Sequence, residues 1–292
     1  MSDAGVVDLD RLREWIGREE TRVDQATAAP LAAMSATLDR DDPEPARGTI
    51  VPPLWHWLYF LPISPLGEAG PDGHPRRGGF LPLVPLPRRM FAGGRFEFHH
   101  PLKMGDEITR ISRIMDVSAK EGRSGTLVFV TVRHEIADAA GLALTEEHDI
   151  VYRENPRADA PVPKPQAART DEAFAREIAP DPVLLFRYSA LTFNSHRIHY
   201  DRSYVTEVEG YPGLIVHGPL IATLLVDLLR RKLPDAKLAR FSFRAVRPLF
   251  DIHRFTVCGR AEGKRVALWT RDHEGWLAME ASADLADRKS VV

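Results

Sequence analysis

At 292 residues, with 44% hydrophobic and 27% charged residues, the chain can bury a full core and is expected to form two domains or two fused halves of about 145 residues. Its formal net charge of −2 is spread along the sequence without a basic stripe, which excludes nucleic acid as an expected partner. A single cysteine, Cys258, excludes an intramolecular disulfide and a cysteine-rich zinc site.

The N-terminal residues and the apolar runs together predict a cytoplasmic protein. The N-terminus lacks the basic and apolar regions of a secretory signal. The most apolar stretch, residues 213–229, is interrupted by His217 and Asp227 and is shorter than the roughly 20 residues that a bilayer requires. It therefore predicts a core helix and no membrane contact.

The first half, residues 1–154, is predicted to contain one apolar helix followed by an antiparallel meander. Residues 52–60 are apolar almost all the way round and open with prolines, which suits the first turn of a helix. Period-two patterns with Gly- or Asp-rich turns predict strands at residues 95–99, 107–117, 125–136 and 143–152. Residues 65–80 form a Gly- and Pro-rich loop of a length typical of functional lids or disorder, and its Arg76 and Arg77 are candidates for contact with an anionic ligand.

Residues 155–182 predict a linker, because repeated prolines remove backbone donors and fix φ. Within this linker, residues 170–177 begin with a capping threonine followed by acids, so a short helix is expected there. The second half, residues 183–292, repeats the order of the first. An apolar helix is predicted at residues 218–231, followed by strands at 239–246, 253–261, 265–271 and 275–283.

An internal repeat supports duplication of one domain. Phe96 and Phe98 form an F-x-F strand followed by a Pro-Leu turn, and Phe241 and Phe243 repeat this pattern at an offset of roughly 145 residues. One long apolar helix wrapped by a curved antiparallel sheet is the hotdog architecture. Two copies in one chain predict a double hotdog of the α+β class.

The densest group of chemically active side chains lies in residues 193–201, which include Asn194, His196 and His199. The pKa of an imidazole can be placed near neutrality, so His199 is expected to take a proton from water as a general base. Asn194 is expected to hold that water. The alternative is purely structural, with one imidazole hydrogen-bonded in the core and the other at the surface.

A metal site is a competing interpretation, because His196, His199, Asp201 and His217 carry nitrogen and oxygen ligands. Imidazoles three or four residues apart converge on a metal best from one face of a regular helix. This stretch has instead the composition of a loop entering a turn. We therefore expect no metal.

The second apolar helix begins at Gly218 and Pro219, where the first backbone N–H groups have no intrahelical partner. A thioester oxygen bound there would be stabilised by the Gly218 N–H and the helix dipole as it gains negative charge. The alternative is a helix start satisfied by water or by a neighbouring side chain.

These motifs resemble the MaoC-like, R-specific enoyl-thioester hydratases and dehydratases. Their motif has an Asp, an Asn two residues on and a His five residues on, followed by a His-Gly helix start. Here those positions are Asn194, His196 and His199, with His217 and Gly218 at the helix start, so the carboxylate of the motif is absent. Residues 187–201 look more like the type 2 hydroxyacyl-thioester dehydratase branch. Four further segments are similar to the bacterial 3-methylfumaryl-CoA (mesaconyl-C4-CoA) hydratases, namely residues 53–57, 78–82, 87–90 and 146–153.

The resemblance implies reversible addition of water to a branched or dicarboxylic enoyl-CoA, foremost 3-methylfumaryl-CoA to give citramalyl-CoA. It implies an acyl-CoA substrate, no metal and no redox cofactor. It also implies a catalytic second half and a first half that has lost catalytic residues while gaining a substrate-tunnel role. A homodimer is expected, because fused hotdogs often pair further. The candidate substrate-binding residues are His196, Tyr200, His217, Arg244 and Arg247.

Several other activities compete with this assignment. An itaconyl-CoA hydratase and a 3-hydroxyacyl-thioester dehydratase are alternatives within the same reaction class. A hotdog thioesterase needs a carboxylate or equivalent base to drive water onto the carbonyl carbon, and the helix after Gly218 has no acid until Asp227. A non-catalytic acyl-CoA binding protein would show affinity without turnover.

Overall fold

The computed structural model describes residues 7–75, 78–122, 125–155 and 164–286. Arg76 and Arg77 lie outside these described residues. The helices are α1 (Leu9–Arg13), α2 (Ala28–Thr37), α3 (Pro182–Leu191) and α4 (Gly218–Lys232). The strands are β1 (Glu19–Gln25), β2 (Arg88–Phe98), β3 (Glu107–Gly122), β4 (Gly125–Asp138), β5 (Gly141–Arg153), β6 (Phe174–Ile178), β7 (Leu238–Ala245), β8 (Phe255–Glu262), β9 (Arg265–Arg271) and β10 (Leu277–Leu285).

These strands form one antiparallel sheet in the order β1-β3-β4-β5-β2-β7-β10-β9-β8-β6. The first half of the chain supplies one side of the sheet and the second half supplies the other. All eight predicted strands are confirmed, although β2 begins earlier than expected, at Arg88. The α+β double hotdog predicted from the sequence is confirmed.

The two halves join where β2 pairs with β7. The F-x-F repeats meet directly there, because Phe96 is opposite Phe241 and Gly94 is opposite Phe243 in the register. The three phenylalanines are buried, and the ring centroids of Phe96 and Phe241 lie 5.8 Å apart. Side chains on one strand alternate between faces, so this row of rings lines the face of the sheet that packs against α4.

Helix α4 is the central helix of the second half, as predicted. Each residue from Leu220 to Leu229 is buried, and the helix packs against β2, β6, β8, β9 and β10. A helix with apolar residues around its whole circumference has to be covered on all sides. Its last turn carries Arg230, Arg231 and Lys232, which interact favourably with the negative end of the helix dipole. In the described part of the chain, no helix combines the length and the hydrophobicity needed to cross a membrane.

The helix predicted at residues 52–60 is wrong. Only a single 3-10 turn forms there, Trp55–Leu58. Leu54, just before this turn, and Phe60, two residues after it, have left-handed φ angles of 68° and 54°, which cannot continue a right-handed helix. The apolar side chains are still buried, so the pattern indicated burial correctly and the conformation incorrectly.

The short helix predicted at residues 170–177 is also wrong. Residues Phe174–Ile178 form strand β6, which pairs with β8 at the edge of the second half. Its burial alternates with a period of two, which is the pattern of a strand with one covered face. The segment predicted as a linker therefore includes an edge strand of the second half.

The first half contains a buried polar cluster around Glu146. Its carboxylate accepts hydrogen bonds from Trp57 Nε1 (2.7 Å), from His56 Nε2 (2.9 Å) and from His148 Nε2. Burial alone would raise the pKa of Glu146, but the neighbouring His148 and His56 lower it to about 2. Glu146 is therefore a buried carboxylate that stays ionised because three donors surround it.

A second buried carboxylate, Asp227 in α4, connects the two halves. Its oxygens accept from Arg40 (2.7 Å), Arg176 (3.0 Å) and Arg231 (2.7 Å). Arg176 and Arg231 also donate to the carbonyl oxygen of Leu38 at the end of α2. The carboxylate itself is fully covered. Removing it would leave three guanidinium groups without their shared counter-charge.

We expect Asp227→Asn to lower the free energy of unfolding by about 3–5 kcal/mol, the usual effect of breaking a buried ion pair from one side. Urea denaturation measures this value. Glu280→Gln is the control, because it removes the exposed partner of Arg244 and should change stability by less than about 1 kcal/mol. Equal effects of the two substitutions would contradict the structural role given to Asp227.

Candidate active site

The end of helix α3 positions Asn194. The N–H of Asn194 donates to Ser189 O (2.8 Å) and the N–H of Phe193 donates to Ala190 O (3.3 Å), which is the double hydrogen bond of a Schellman motif. The left-handed residue of this motif is Phe193, with φ of 49°, where glycine is usual. The chain therefore turns sharply before Asn194. The Oδ1 atom of Asn194 accepts from the His196 N–H (3.1 Å), which leaves its amide NH₂ for another partner.

His199 is buried, and its hydrogen bond defines its tautomer. Its Nδ1 lies 2.7 Å from the carbonyl oxygen of Ile215, which can only accept, so Nδ1 carries the proton. Burial lowers the pKa of His199 to about 4, against a smaller opposite effect of the Ile215 hydrogen bond. The ring is therefore neutral at physiological pH, with an unprotonated Nε2 that can accept a proton.

His217 stacks on His199 with ring centroids 3.6 Å apart and an angle of 18° between the planes. Its Nε2 is hydrogen-bonded to Ser189 Oγ (2.8 Å), while its buried Nδ1 has no hydrogen-bond partner among the described residues. Burial and the neighbouring His199 lower the pKa of His217 well below its usual value. His217, which the sequence suggested as a substrate-binding residue, therefore packs directly against the His199 ring.

Gly218 follows His217 in the chain and is the first residue of α4. The helix's own hydrogen bonds do not use the N–H groups of its first turn, so the Gly218 N–H is available for a ligand. Because His217 contacts both its chain neighbour Gly218 and the ring of His199, the structure brings the imidazole and the helix start together. This is the juxtaposition that the two sequence motifs predicted.

His196 and Tyr200 lie on the outer side of the same loop. The His196 ring lies 5.6 Å from the His199 ring in an edge-on arrangement, and burial lowers the pKa of His196 to about 2. Tyr200 is half exposed and donates its hydroxyl to Ser195 O (3.1 Å). His196 is therefore adjacent to the proposed base, while Tyr200 lies at the surface beside it.

Arg244 and Arg247 are engaged elsewhere. Arg244 alternates with the buried Phe243 along β7 and therefore points to the opposite face of the sheet, where it pairs with Glu280 (2.9 Å). Arg247 Nη1 lies 3.2 Å from Oδ2 of Asp272, which is in the turn between β9 and β10. The structure does not bring Arg244 to His199, and both guanidinium groups already have a carboxylate partner.

The predicted alternative of a metal held by His196, His199, Asp201 and His217 is not assembled. Asp201 accepts from Arg197 (2.6 Å) and from the backbone N–H of Tyr204 (3.0 Å). Within the described ranges, a different trio of potential ligands lies close together: atoms of Asp72, His74 and His196 are within 4.8 Å of one another. Sequence patterns missed this trio because His196 lies more than a hundred residues from Asp72 and His74 in the sequence.

Sequence comparison connects the chain to characterised relatives. The sequence model described as hydroxyacyl-thioester dehydratase type 2 matches residues 54–251, more than half of the chain. The chain belongs to the type 2 hydroxyacyl-thioester dehydratase family. It is 48% identical over 272 residues to the mesaconyl-C(4)-CoA hydratase of Chloroflexus aurantiacus, a match that covers 93% of this chain and 96% of that protein. It is 28% identical to the mitochondrial hydroxyacyl-thioester dehydratase type 2 of Schizosaccharomyces pombe, over 80% of this chain and 88% of that protein.

Solved structures share the architecture of this family member. A MaoC-like dehydratase from Phytophthora capsici superposes with a TM-score of 0.68 at 16% identity, over 98% of this chain and all of the other. The peroxisomal multifunctional enzyme type 2 of Drosophila melanogaster gives a TM-score of 0.66 at 15% identity, over 95% of this chain and 50% of that one. At these identities the likeness concerns the fold alone. The sequence relatives are named as hydratases and dehydratases, so the protein is an enzyme of the hydro-lyase class.

We expect the His199 ring to stay neutral, with the proton on Nδ1, down to about pH 5. Nitrogen-15 NMR of the imidazoles measures this, with His199→Gln used to assign the signals. The physical reason is that burial disfavours the charged ring, so its protonation is displaced to lower pH than the ordinary value of about 6.5. A titration midpoint near 6.5 for His199 would contradict the buried environment described above.

Proposed function

We propose that the protein hydrates an enoyl-CoA thioester reversibly. The observation that carries this proposal is the meeting of two groups at one place. One is a neutral imidazole with an unprotonated Nε2, and the other is an N–H at the start of a buried helix that has no hydrogen-bond partner among the described residues. The first can remove a proton from water. The second can stabilise the oxygen of a polarised thioester.

In the proposed reaction His199 Nε2 removes a proton from water as the water oxygen attacks C3 of the conjugated acyl group. The electrons of the C2–C3 double bond move toward the thioester carbonyl, whose oxygen accepts a hydrogen bond from Gly218. Asn194 is proposed to hold the attacking water through its amide NH₂. The Ile215 hydrogen bond keeps Nδ1 protonated, so that Nε2 is always the atom presented to the water.

We propose 3-methylfumaryl-CoA as the substrate and citramalyl-CoA as the product. The support is the 48% identity to the hydratase of Chloroflexus aurantiacus named for mesaconyl-C(4)-CoA. Coenzyme A would be the carrier portion of the substrate, and the proposed reaction uses no metal and no redox cofactor. The first half is proposed to form part of the acyl channel, and the assembly is proposed to be a homodimer. Itaconyl-CoA and unbranched 3-hydroxyacyl thioesters are the alternatives that a substrate screen separates.

The position of Asp227 argues against a thioesterase. It lies about 14 Å along α4 from Gly218, and both of its oxygens accept hydrogen bonds from arginines. It is not available as a base for attack on the thioester carbonyl.

A screen of 3-methylfumaryl-CoA, itaconyl-CoA and crotonyl-CoA distinguishes the two activities. Hydration is seen as loss of the conjugated absorbance, and thioester hydrolysis is seen as release of free thiol.

We expect His199→Gln to lower kcat/KM for hydration by about 10²–10⁴-fold, because the glutamine amide can still donate to Ile215 O but cannot accept the proton of water. Loss of the conjugated absorbance measures the rate, and the melting temperature shows whether the variant is folded. A folded variant that hydrates the substrate at the wild-type rate would rule out His199 as the base.

A matched pair of variants tests the Gly218 N–H. Gly218→Pro deletes that N–H at a helix position that tolerates proline, and His217 already has the extended ψ of 130° that a following proline requires. We expect kcat to fall by about 10²–10³-fold. Gly218→Ala keeps the N–H, and its Cβ would meet no atom closer than Phe91 O at 3.8 Å, so it should stay close to the wild type. Equal rates in the two variants would contradict the proposed role.

A further inference from the structure

Strand β2 carries an arginine whose charge is not paired within the protein. Two other arginines of this strand have carboxylate partners, since Arg88 Nη2 lies 3.2 Å from Glu209 Oε2 and Arg95 Nε lies 3.0 Å from Glu147 Oε2. The guanidinium of Arg89 makes no hydrogen bond or ion pair with any residue that the structure describes. Its positive charge is therefore available to a ligand.

The Arg89 side chain points to the covered face of the sheet. Side chains alternate along a strand, so Arg89 shares its face with Phe91, whereas Met90 is exposed on the opposite face. Arg89 is also opposite the buried Tyr152 in the register, and paired residues lie on the same face. Arg89 is half-buried there. A partly desolvated guanidinium is stabilised by an anion, so this position suits a ligand of negative charge.

This part of β2 borders the start of helix α4. The pairing of β2 with β7 ends at Gly93, so residues 88–92 extend beyond the seam between the two halves. A Cβ built on Gly218 would lie 3.8 Å from Phe91 O. Arg89 is two residues from Phe91 on the same face, about 7 Å along the strand. That distance is comparable to the length of an arginine side chain.

The charge of Arg89 also reaches the histidine motif. Burial is the main cause that lowers the pKa of His196 to about 2, and the positive charge of Arg89 adds to this effect. The His196 ring lies 5.6 Å from the ring of His199, the proposed base. Arg89 therefore borders both the helix start and the loop of the base, although it belongs to the first half of the chain.

The proposed substrate carries its free carboxylate on the reacting carbon. In 3-methylfumaryl-CoA this carboxylate is bonded to C3, the carbon that water attacks, and the thioester carbonyl lies at the other end of the double bond. With the thioester oxygen on the Gly218 N–H and the water at His199, the carboxylate lies beside the two elements that Arg89 borders. Arginine suits this role, because its planar guanidinium can donate two parallel hydrogen bonds to a carboxylate.

We propose that Arg89 binds the free carboxylate of the acyl group and thereby selects dicarboxylic monothioesters as substrates. This inference rests on the proposed hydratase function and identifies the residue that recognises the substrate class. It replaces the sequence-based assignment to Arg244 and Arg247, whose guanidinium groups already have carboxylate partners. The phosphates of coenzyme A are a poorer match for Arg89, because the pantetheine arm separates them from a thioester bound at Gly218.

Two saturated ligands test the proposal without turnover. 3-Methylsuccinyl-CoA carries the free carboxylate on C3, and isovaleryl-CoA has a methyl group in its place. Both contain the whole of coenzyme A, so their difference in affinity isolates the carboxylate. We expect the wild-type protein to bind 3-methylsuccinyl-CoA about 10²-fold more tightly than isovaleryl-CoA. Arg89→Gln should remove most of this preference and change the affinity for isovaleryl-CoA by less than about 3-fold. Isothermal titration calorimetry measures the dissociation constants.

The same pattern is expected in catalysis. Arg89→Gln should lower kcat/KM for 3-methylfumaryl-CoA by about 10²-fold and should leave that for crotonyl-CoA, which has no carboxylate, within about 3-fold of the wild type. Arg89→Lys keeps the charge but not the two parallel hydrogen bonds, so its rate should lie between those of the wild type and the glutamine variant. Loss of the conjugated absorbance measures all of these rates.

Arg95 provides a matched control on the same strand. It lies on the outer face of β2, where it pairs with Glu147 and Asp149. Arg95→Gln removes a positive charge from the same strand without touching the inner face, so it should leave the preference between the two saturated ligands unchanged. Melting temperatures show whether each variant is folded.

Three results would overturn the proposal. The first is equal affinity of the wild-type protein for the two saturated ligands, which needs no variant. The second is an Arg89→Gln protein that loses affinity for both ligands by the same factor, which would assign Arg89 to a phosphate of coenzyme A. The third is a folded Arg89→Gln protein that keeps the wild-type preference. Each leaves the hydratase function intact if the wild type hydrates 3-methylfumaryl-CoA. A wild-type protein that binds neither ligand and hydrates no enoyl-CoA would contradict the proposed function itself.

Discussion

The antiparallel pairing of β2 with β7 is the constraint on which the rest of the structure depends. It makes one continuous sheet from two halves, and its register places Phe96 opposite Phe241. Residues near this seam then have defined neighbours in the other half: the carbonyl of Phe91 on β2 faces Gly218, and the loop that precedes β2 docks on residues 195–197. A shift of one residue would turn the phenylalanine rings away from α4 and would separate the loop from the histidines.

Burial, more than charge pairing, determines the chemistry of the candidate base. His199 has no carboxylate partner among the described residues, and its Nδ1 is held by a backbone carbonyl. A desolvated imidazole stays neutral, and the stacked His217 leaves no room for the ring to rotate freely. The buried carboxylates Glu146 and Asp227 are each surrounded by three donors, so both charges are compensated within the fold.

Much of the fold was predictable because it follows from short-range patterns. Period-two strands and the apolar run of α4 are properties of neighbouring residues, and the histidine motif beside a Gly-Pro helix start indicated the site. The errors have physical causes. Apolar periodicity cannot show that Leu54 and Phe60 adopt left-handed φ angles, so residues 52–60 were mistaken for a helix. Asp72 and His74 reach His196 only through tertiary structure, since no local pattern connects residues more than a hundred positions apart.

The fusion of two hotdogs into one chain also has an evolutionary consequence. In a symmetric pair of identical subunits, every substitution appears twice, so a residue that suits one site is imposed on its symmetry mate as well. A covalently joined pair is free of this restriction. Here one half contains the long buried helix α4, and the other contains the Glu146 cluster and the loop that precedes β2. Asymmetry of this kind lets one ancestral unit diverge into two parts with separate tasks.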